Sequence, residues 1–273
     1  MQDGVLSLLS EAGIRVSGAD RSYRPSVSLH GFEVKMLKPQ TIVDMLHHGS
    51  RDVGFAGADW VAEKGATLVE LLDTGLDPVR LVAAAPVELL VDGKLPRRAL
   101  IVASEYEQLA RRWIERNTVQ ATFVRSYGAT EVFPPEDADV IVDNTSSGDT
   151  LRANGLQIFD ELMTSSTRLY AHPRTMDTPG HRASIEHLVL LVRSVLEARR
   201  RVMLEVNVPR EQLESVIAVL PCMRGPTVSE LHAGAGYAVK AAVPRELLPR
   251  LIPEIKARGG TDIVVTRLAQ IVP

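Results

Sequence analysis

Short runs of almost uniform apolarity alternate along this chain with longer segments of helical periodicity, and Gly or Pro often ends a run. Asp52–Ala56 stops at Gly57 and Val79–Ala85 stops at Pro86, while Ala99–Ala103, Ala121–Val124 and Ala138–Val142 repeat the form. Runs this short are strand-sized. Val79–Ala85 in particular has the look of a buried parallel strand. Further strands are expected at Ile14–Ser17 and Phe32–Leu37. Helices fall between them. Val5, Leu6, Leu8, Leu9 and Ala12 have helical spacing with Gly13 as a stop. Pro39 stands where a helix can start, with Ile42, Val43, Met45 and Leu46 as its buried stripe, and Glu105–Glu115 follows the same logic. Strand–helix alternation predicts an α/β architecture.

The character changes at Pro173–Gly180, which reads as a loop. Arg182–Arg201 then predicts a long helix. Beyond it come a strand (Val202–Val208), a helix (Arg210–Val219), two strands (Thr227–Leu231 and Tyr237–Val243), a helix (Arg245–Lys256) and a last strand (Asp262–Leu268). That β-α-β-β-α-β order is ferredoxin-like and places a domain boundary near Arg200.

Composition excludes several classes. Aromatic residues make up only 4% of the chain, so the core must be aliphatic. A net charge of −3 leaves no basic footprint for nucleic acid and no polybasic membrane signal. No apolar run reaches the ~18–20 residues of a membrane helix, and no signal peptide is readable at Met1-Gln2-Asp3-Gly4. Cys222 is the single cysteine, so no intrachain disulfide can form, and it reads as a small apolar residue. A cytoplasmic protein is expected.

The segment with the clearest chemistry is Ala138–Leu151. An apolar strand delivers Asp143 to the loop Asn144-Thr145-Ser146-Ser147-Gly148-Asp149, and a helix-compatible stretch starts near Thr150. Backbone N–H groups at a helix start favour an anion, Ser and Thr hydroxyls add donors without bulk, and Gly148 permits close approach. An acid at the strand end can accept from vicinal ribose hydroxyls. The same residue types are also the usual helix caps, so by themselves they fit a plain N-cap equally well. The loop contains no Lys, so it is not a Walker A loop.

Those residues carry a resemblance. Gly128-Ala129-Thr130-Glu131, then Ala138-Asp139, then Asp143-x-x-Ser146-Ser147-Gly148-Asp149-Thr150-Leu151-x-x-Asn154-Gly155-Leu156 resembles the signature of the ATP phosphoribosyltransferases, which open histidine biosynthesis. Leu37-Lys38-Pro39-Gln40, Asp52–Val61 and Asp73-x-Gly75 leading to Arg80-Leu81-Val82 are similar to the family's first-lobe pattern. Asn207-Val208-Pro209, Leu220-Pro221 and Pro226–Leu231 look like the regulatory domain of the long form. The resemblance covers nearly the whole chain, in order.

The resemblance implies two α/β lobes like those of type II periplasmic binding proteins. Lobe I would be residues 1–80 and 173–199, lobe II 81–172, and a ferredoxin-like histidine-binding domain 200–273. It implies attack of adenine N1 of ATP on C1 of phosphoribosyl pyrophosphate (PRPP), with pyrophosphate leaving. Mg²⁺ would be held by the pyrophosphate rather than by protein ligands. By matching motifs, Asp143 and Glu131 would meet the ribose, and Thr145, Ser146, Ser147, Gly148, Asp149 and Thr150 would surround the 5′-phosphate. Lys38, Gly57 and Asp59 would lie at the nucleotide side of the cleft. Asn207, Met223 and Thr227 would line the site for histidine as inhibitor. A homohexamer assembled from dimers is implied as well.

Some features depart from the pattern or stand apart from it. Asp149 is an acid where a phosphate is expected, so it either points away or serves as a helix-start charge. Family members usually open with a strand and a Lys-Gly-Arg loop, whereas this sequence starts at the first helix. The expectation is a longer natural chain. A catalytically weak or silent paralogue that senses histidine or binds another small molecule is the alternative. His47 and His48 read as surface residues, and His172, His181 and His187 have no metal spacing.

Overall fold

The structure, a computed structural model, describes residues 1–18 and 22–272. The elements begin with α1 (Gln2–Glu11), β1 (Val16–Ser17), β2 (Ser26–Val27), α2 (Pro39–His47), β3 (Val53–Gly57), α3 (Ala58–Lys64) and β4 (Val69–Pro86). The middle of the chain supplies β5 (Leu100–Ser104), α4 (Glu107–Arg116), β6 (Ala121–Arg125), β7 (Val140–Thr145), α5 (Asp149–Ala153), β8 (Leu156–Ala171) and α6 (Pro173–Asp177). Then follow α7 (Pro179–Arg200), β9 (Arg201–Val208), α8 (Leu213–Ile217), β10 (Thr227–Glu230), β11 (Tyr237–Pro244), α9 (Leu248–Ala257) and β12 (Thr261–Arg267). They form two compact units. One comprises Met1–Leu6 with Val16–Glu186, the other Ser7–Arg15 with His187–Pro273.

The first unit is built on a six-stranded sheet in the order β3-β8-β4-β7-β5-β6. Its stem is the long antiparallel pair β4/β8, in register from Val69↔Ala171 to Pro86↔Leu156 with several bulges. β3 pairs with β8 at one end, and β7 pairs antiparallel with the last part of β4, at Arg80–Ala84. β5 runs parallel to both β6 and β7. Leu81, Ala83 and Ala85 pack into one core cluster with Val102, Val140 and Tyr106, while Val82 and Ala84 pack on the other side with Ile141 and Leu151.

This arrangement corrects the reading of Val79–Ala85 as a parallel strand. Both of its partners are antiparallel; its unbroken apolarity comes from cover on both faces. The strand also starts earlier, at Val69. The expected strand Phe32–Leu37 lies outside any ladder. The Met36 N–H reaches the Tyr23 carbonyl at 2.9 Å, but no register continues from it. A β-prone stretch becomes a strand only when a partner runs beside it. Pro173–Gly180 is not a loop but α6 and the first residues of α7. Pro173 and Pro179 each occupy a helix start, where the missing N–H costs nothing. His172 caps α6 by accepting the Arg174 N–H on Nδ1 at 3.2 Å.

The second unit holds a four-stranded antiparallel sheet in the order β10-β11-β9-β12. That is the expected ferredoxin-like topology. Along β9, Val202, Leu204, Val206 and Val208 are buried with Val216, Leu251 and Ile255 of α8 and α9. The alternate residues Met203, Glu205 and Asn207 lie on the opposite face. The helix expected over Arg210–Val219 is shorter, a 3₁₀ turn followed by α8.

Candidate functional site

β7 is apolar where it is enclosed and polar where it emerges. Val140, Ile141 and Val142 are fully buried, and the next residue is Asp143. Its Oδ1 accepts the backbone N–H of Asn144 at 2.7 Å. Burial pushes the Asp143 carboxyl up to about 6. The Asn144 N–H and the Thr130 hydroxyl pull against that shift, while the nearby carboxylates of Glu105 and Glu131 reinforce it. Glu105 follows the end of β5. Glu131 sits in a single 3₁₀ turn, Thr130–Val132, entered through left-handed Ala129 at φ 50°. Three acids from three segments thus converge where donor groups such as sugar hydroxyls would be welcome.

The loop after β7 is closed by its own residues. Buried Thr145 accepts the Gly148 N–H on Oγ1 at 3.0 Å. Gly148 has φ +81°, and a Cβ there would stand 3.2 Å from both Arg152 and Ile158, so conformation and space both favour glycine. Ser146, Ser147 and Thr150 are exposed. Asp149 accepts from the Ser147 hydroxyl at 2.5 Å and from the Arg152 guanidinium. The Ser147 bond first, and Arg152 second, hold its carboxyl below the usual range. Its charge is therefore balanced locally by an arginine three residues on, a partner that sequence reading passed over. Arg152 also donates to the Ser147 carbonyl at 3.3 Å. Arg152→Ala is expected to leave the fold intact and to weaken the binding of a phosphate ester in this loop. The affinity loss, measured by titration calorimetry, should be about fivefold or less, the reach of a solvent-exposed pair.

Lys38, Gly57 and Asp59 are set differently. Lys38 is exposed at the N-cap position of α2. Asp59 is only 5% exposed, and both its oxygens are satisfied inside the protein. Ser165 donates to Oδ1 at 2.7 Å, and the Tyr106 hydroxyl donates to Oδ2 at 2.6 Å. Gly57 makes this possible, since a Cβ at that position would lie 2.2 Å from Asp59 Oδ1. The carboxylate could not move aside without breaking those bonds. Beside it, buried Glu63 accepts the N–H groups of Gln108 and Leu109 at 3.0 Å each and so caps α4. Tyr106, Ser165 and Glu63 were missed by the sequence reading. Tyr106 and Glu105 did have one available signal, their place just past an apolar strand, which is also the place of Asp143.

In the second unit a cavity of about 600 Å³ is lined by Met203, Cys222, Met223, Arg224, Thr227 and Lys240, among others. It brings Met223 and Thr227 together. Asn207 does not line it; its amide donates to Asp262 at 3.1 Å. Burial raises the Cys222 thiol above its ordinary range. Among the described residues, no group of three or more His, Cys, Asp or Glu side chains could hold a metal ion, and no helix is long and apolar enough to cross a membrane.

Fold and loop together define a two-unit α/β protein with a core that presents a Ser/Thr/Gly loop at a strand end. Residues 38–194 match the family described as ATP phosphoribosyltransferase, and residues 198–270 match the HisG C-terminal domain. The chain is 32% identical to the ATP phosphoribosyltransferase of Pelotomaculum thermopropionicum, over 100% of its own length and 96% of that protein. It is 35% identical to that of Chlorobium phaeovibrioides, over 96% of itself and 91% of that protein. An ATP phosphoribosyl transferase (HisG:HisZ) complex from Thermotoga maritima includes a chain similar in fold. The TM-score is 0.64 at 24% identity, covering 71% of this chain and 93% of that one. The chain belongs to the ATP phosphoribosyltransferase family.

Proposed function

We propose that this chain condenses ATP with PRPP to phosphoribosyl-ATP and pyrophosphate, the first step of histidine biosynthesis. In the reaction, adenine N1 forms a bond to C1 of the ribose as the C1–oxygen bond to pyrophosphate breaks, and the bonding pair leaves with pyrophosphate. The protein's task is to hold two polyanions in line. The observation that carries the reading is the half-buried Asp143 at the head of the Thr145–Thr150 loop. Its carboxylate, with Glu131, would accept from the ribose hydroxyls. The loop's N–H groups and the hydroxyls of Ser146 and Thr150 would surround the 5′-phosphate, while the Ser147 hydroxyl is committed to Asp149. Asp149 stays tied to Arg152 and Ser147 and does not oppose that phosphate directly.

Mg²⁺ belongs to this reading as a cofactor that would be held by pyrophosphate oxygens and not by protein side chains, and would supply neutralising charge for the leaving group. Lys38, exposed at the start of α2, would supply a contact to an anionic group. Lobe I would be residues 1–80 with 173–199, lobe II 81–172, and the regulatory domain 200–273. Histidine would act as inhibitor there, with Met223 and Thr227 in the cavity and Asn207 contributing from the sheet face. A homohexamer built from dimers, located in the cytoplasm, completes the proposal.

The test is direct. The chain is incubated with ATP, PRPP and Mg²⁺, with and without histidine, and phosphoribosyl-ATP is followed by its absorbance. Product formation that histidine suppresses is the expected result. Histidine binding without turnover would establish the silent paralogue instead.

A further inference from the structure

A chain of hydrogen bonds leads from the buried start of α3 to the strand end that carries Asp143. It begins with Ser165 on Asp59, and Asp59 then accepts the Tyr106 hydroxyl at 2.6 Å. That hydroxyl oxygen in turn accepts from Asn144 Nδ2 at 2.8 Å. Asn144 then gives its backbone N–H to Asp143 at 2.7 Å. Tyr106 is fully buried and its ring stacks on Trp60, with centroids 4.6 Å apart and planes 27° apart.

The direction of each bond is fixed by chemistry. Asp59 as a carboxylate can only accept, so the Tyr106 proton must point to it. The phenol oxygen is left with lone pairs, and these face the Asn144 amide. Burial, then the charge of Asp59, keeps the Tyr106 hydroxyl protonated far above the usual phenol range, so it is a permanent donor. Asn144 is exposed and sits at the point where β7 gives way to the loop. The ladder to Leu81 of β4 sets the course of its backbone, but an exposed side chain one residue from the strand's end would ordinarily sample several rotamers. Its amide anchor on a buried phenol removes that freedom and steadies the strand end whose N–H reaches Asp143.

We propose that Tyr106 and Asn144 are positioning residues for PRPP. They hold the Asn144 peptide, and through it the Asp143 carboxylate, in the orientation that receives the ribose hydroxyls. They also tie that orientation to Asp59 in the buried interior. The proposal rests on the reading of Asp143 as the ribose-binding acid.

Steady-state kinetics of the full chain with ATP, PRPP and Mg²⁺ tests it, using Tyr106→Phe, Asn144→Ala, the double variant and Asp143→Ala. Tyr106→Phe keeps the ring and its stack and removes only the hydroxyl. The PRPP KM should rise about tenfold in either single variant while the ATP KM moves less than about twofold. The double variant should be no worse than the singles, because one chain is broken once. Equal movement of both KM values, or single effects that add in the double variant, would overturn the proposal, since a merely structural role predicts either. If Tyr106→Phe does not fold, Asn144→Ala at its exposed position decides alone, and an unchanged PRPP KM there sinks the idea. The two readings fail separately. Asp143→Ala with an unchanged PRPP KM defeats the ribose assignment and the proposal with it. A raised KM in Asp143→Ala, beside wild-type values in the other two, defeats only the positioning chain.

Discussion

Asp143→Asn is expected to lower kcat/KM for PRPP by about a hundredfold or more, the worth of two charge-assisted hydrogen bonds to the ribose. The same substitution should raise stability at neutral pH. The folded protein holds the Asp143 proton up to about pH 6, whereas the ordinary value is 3.8. Below pH 4 both folded and unfolded chains carry the proton and the group is neutral in the balance. As pH rises from 4 to 6 the unfolded state ionises first, so stability falls, and above 6 the loss is complete. Asparagine keeps the shape and cannot ionise, so thermal unfolding at pH 7.5 should show a gain on the order of 2 kcal/mol. Activity should follow the opposite course. In the wild type, kcat/KM for PRPP should climb through an apparent pKa near 6 as the carboxylate forms, and Asp143→Asn should flatten that limb. A fall in both activity and melting temperature would mark Asp143 as a structural residue.

Asp59→Ala should behave in the contrary way. Removing this carboxylate leaves the Tyr106 hydroxyl and the Ser165 hydroxyl as buried donors without their acceptor and opens a void between them. The expected cost is about 3–5 kcal/mol, which for a unit of this size lowers the melting temperature by roughly 10 °C. Activity and stability should be lost together, as calorimetry alongside the product assay would show. A fully stable but inactive Asp59→Ala protein would instead place this acid against substrate.

The contrast between these two acids shows what can be read from a sequence of this kind. Asp143 was legible because everything that defines it is local: an apolar strand, an acid at its end, and a loop of hydroxyls and glycine. The strands of the second unit were legible for the same reason, since Val202, Leu204, Val206 and Val208 alternate as one buried face requires. Asp59 was found, but its surroundings were not. Its partners lie 47 and 106 residues away in the chain, a separation that no motif spans. β8 escaped because Asp160, Glu161, Thr164, Ser165, Ser166 and Thr167 interrupt its apolar pattern. It persists as a strand because β3 and β4 bond it on both sides. α6 reads as a loop in the sequence because proline ordinarily punctuates a chain, whereas Pro173 and Pro179 each start a helix.

The stem β4/β8 has a consequence for how the first unit comes apart. Segments 69–86 and 156–171 meet along almost their whole lengths, and both ends of the six-stranded sheet depend on that one pairing. The β3 side and the β7-β5-β6 side join into one sheet only when a loop of some seventy residues has closed (87–155). Closing it benefits both ends at once. The amides of β3 and β7, on opposite sides of that stem, should therefore exchange with solvent through the same opening event and report the same free energy, as members of a single cooperative block.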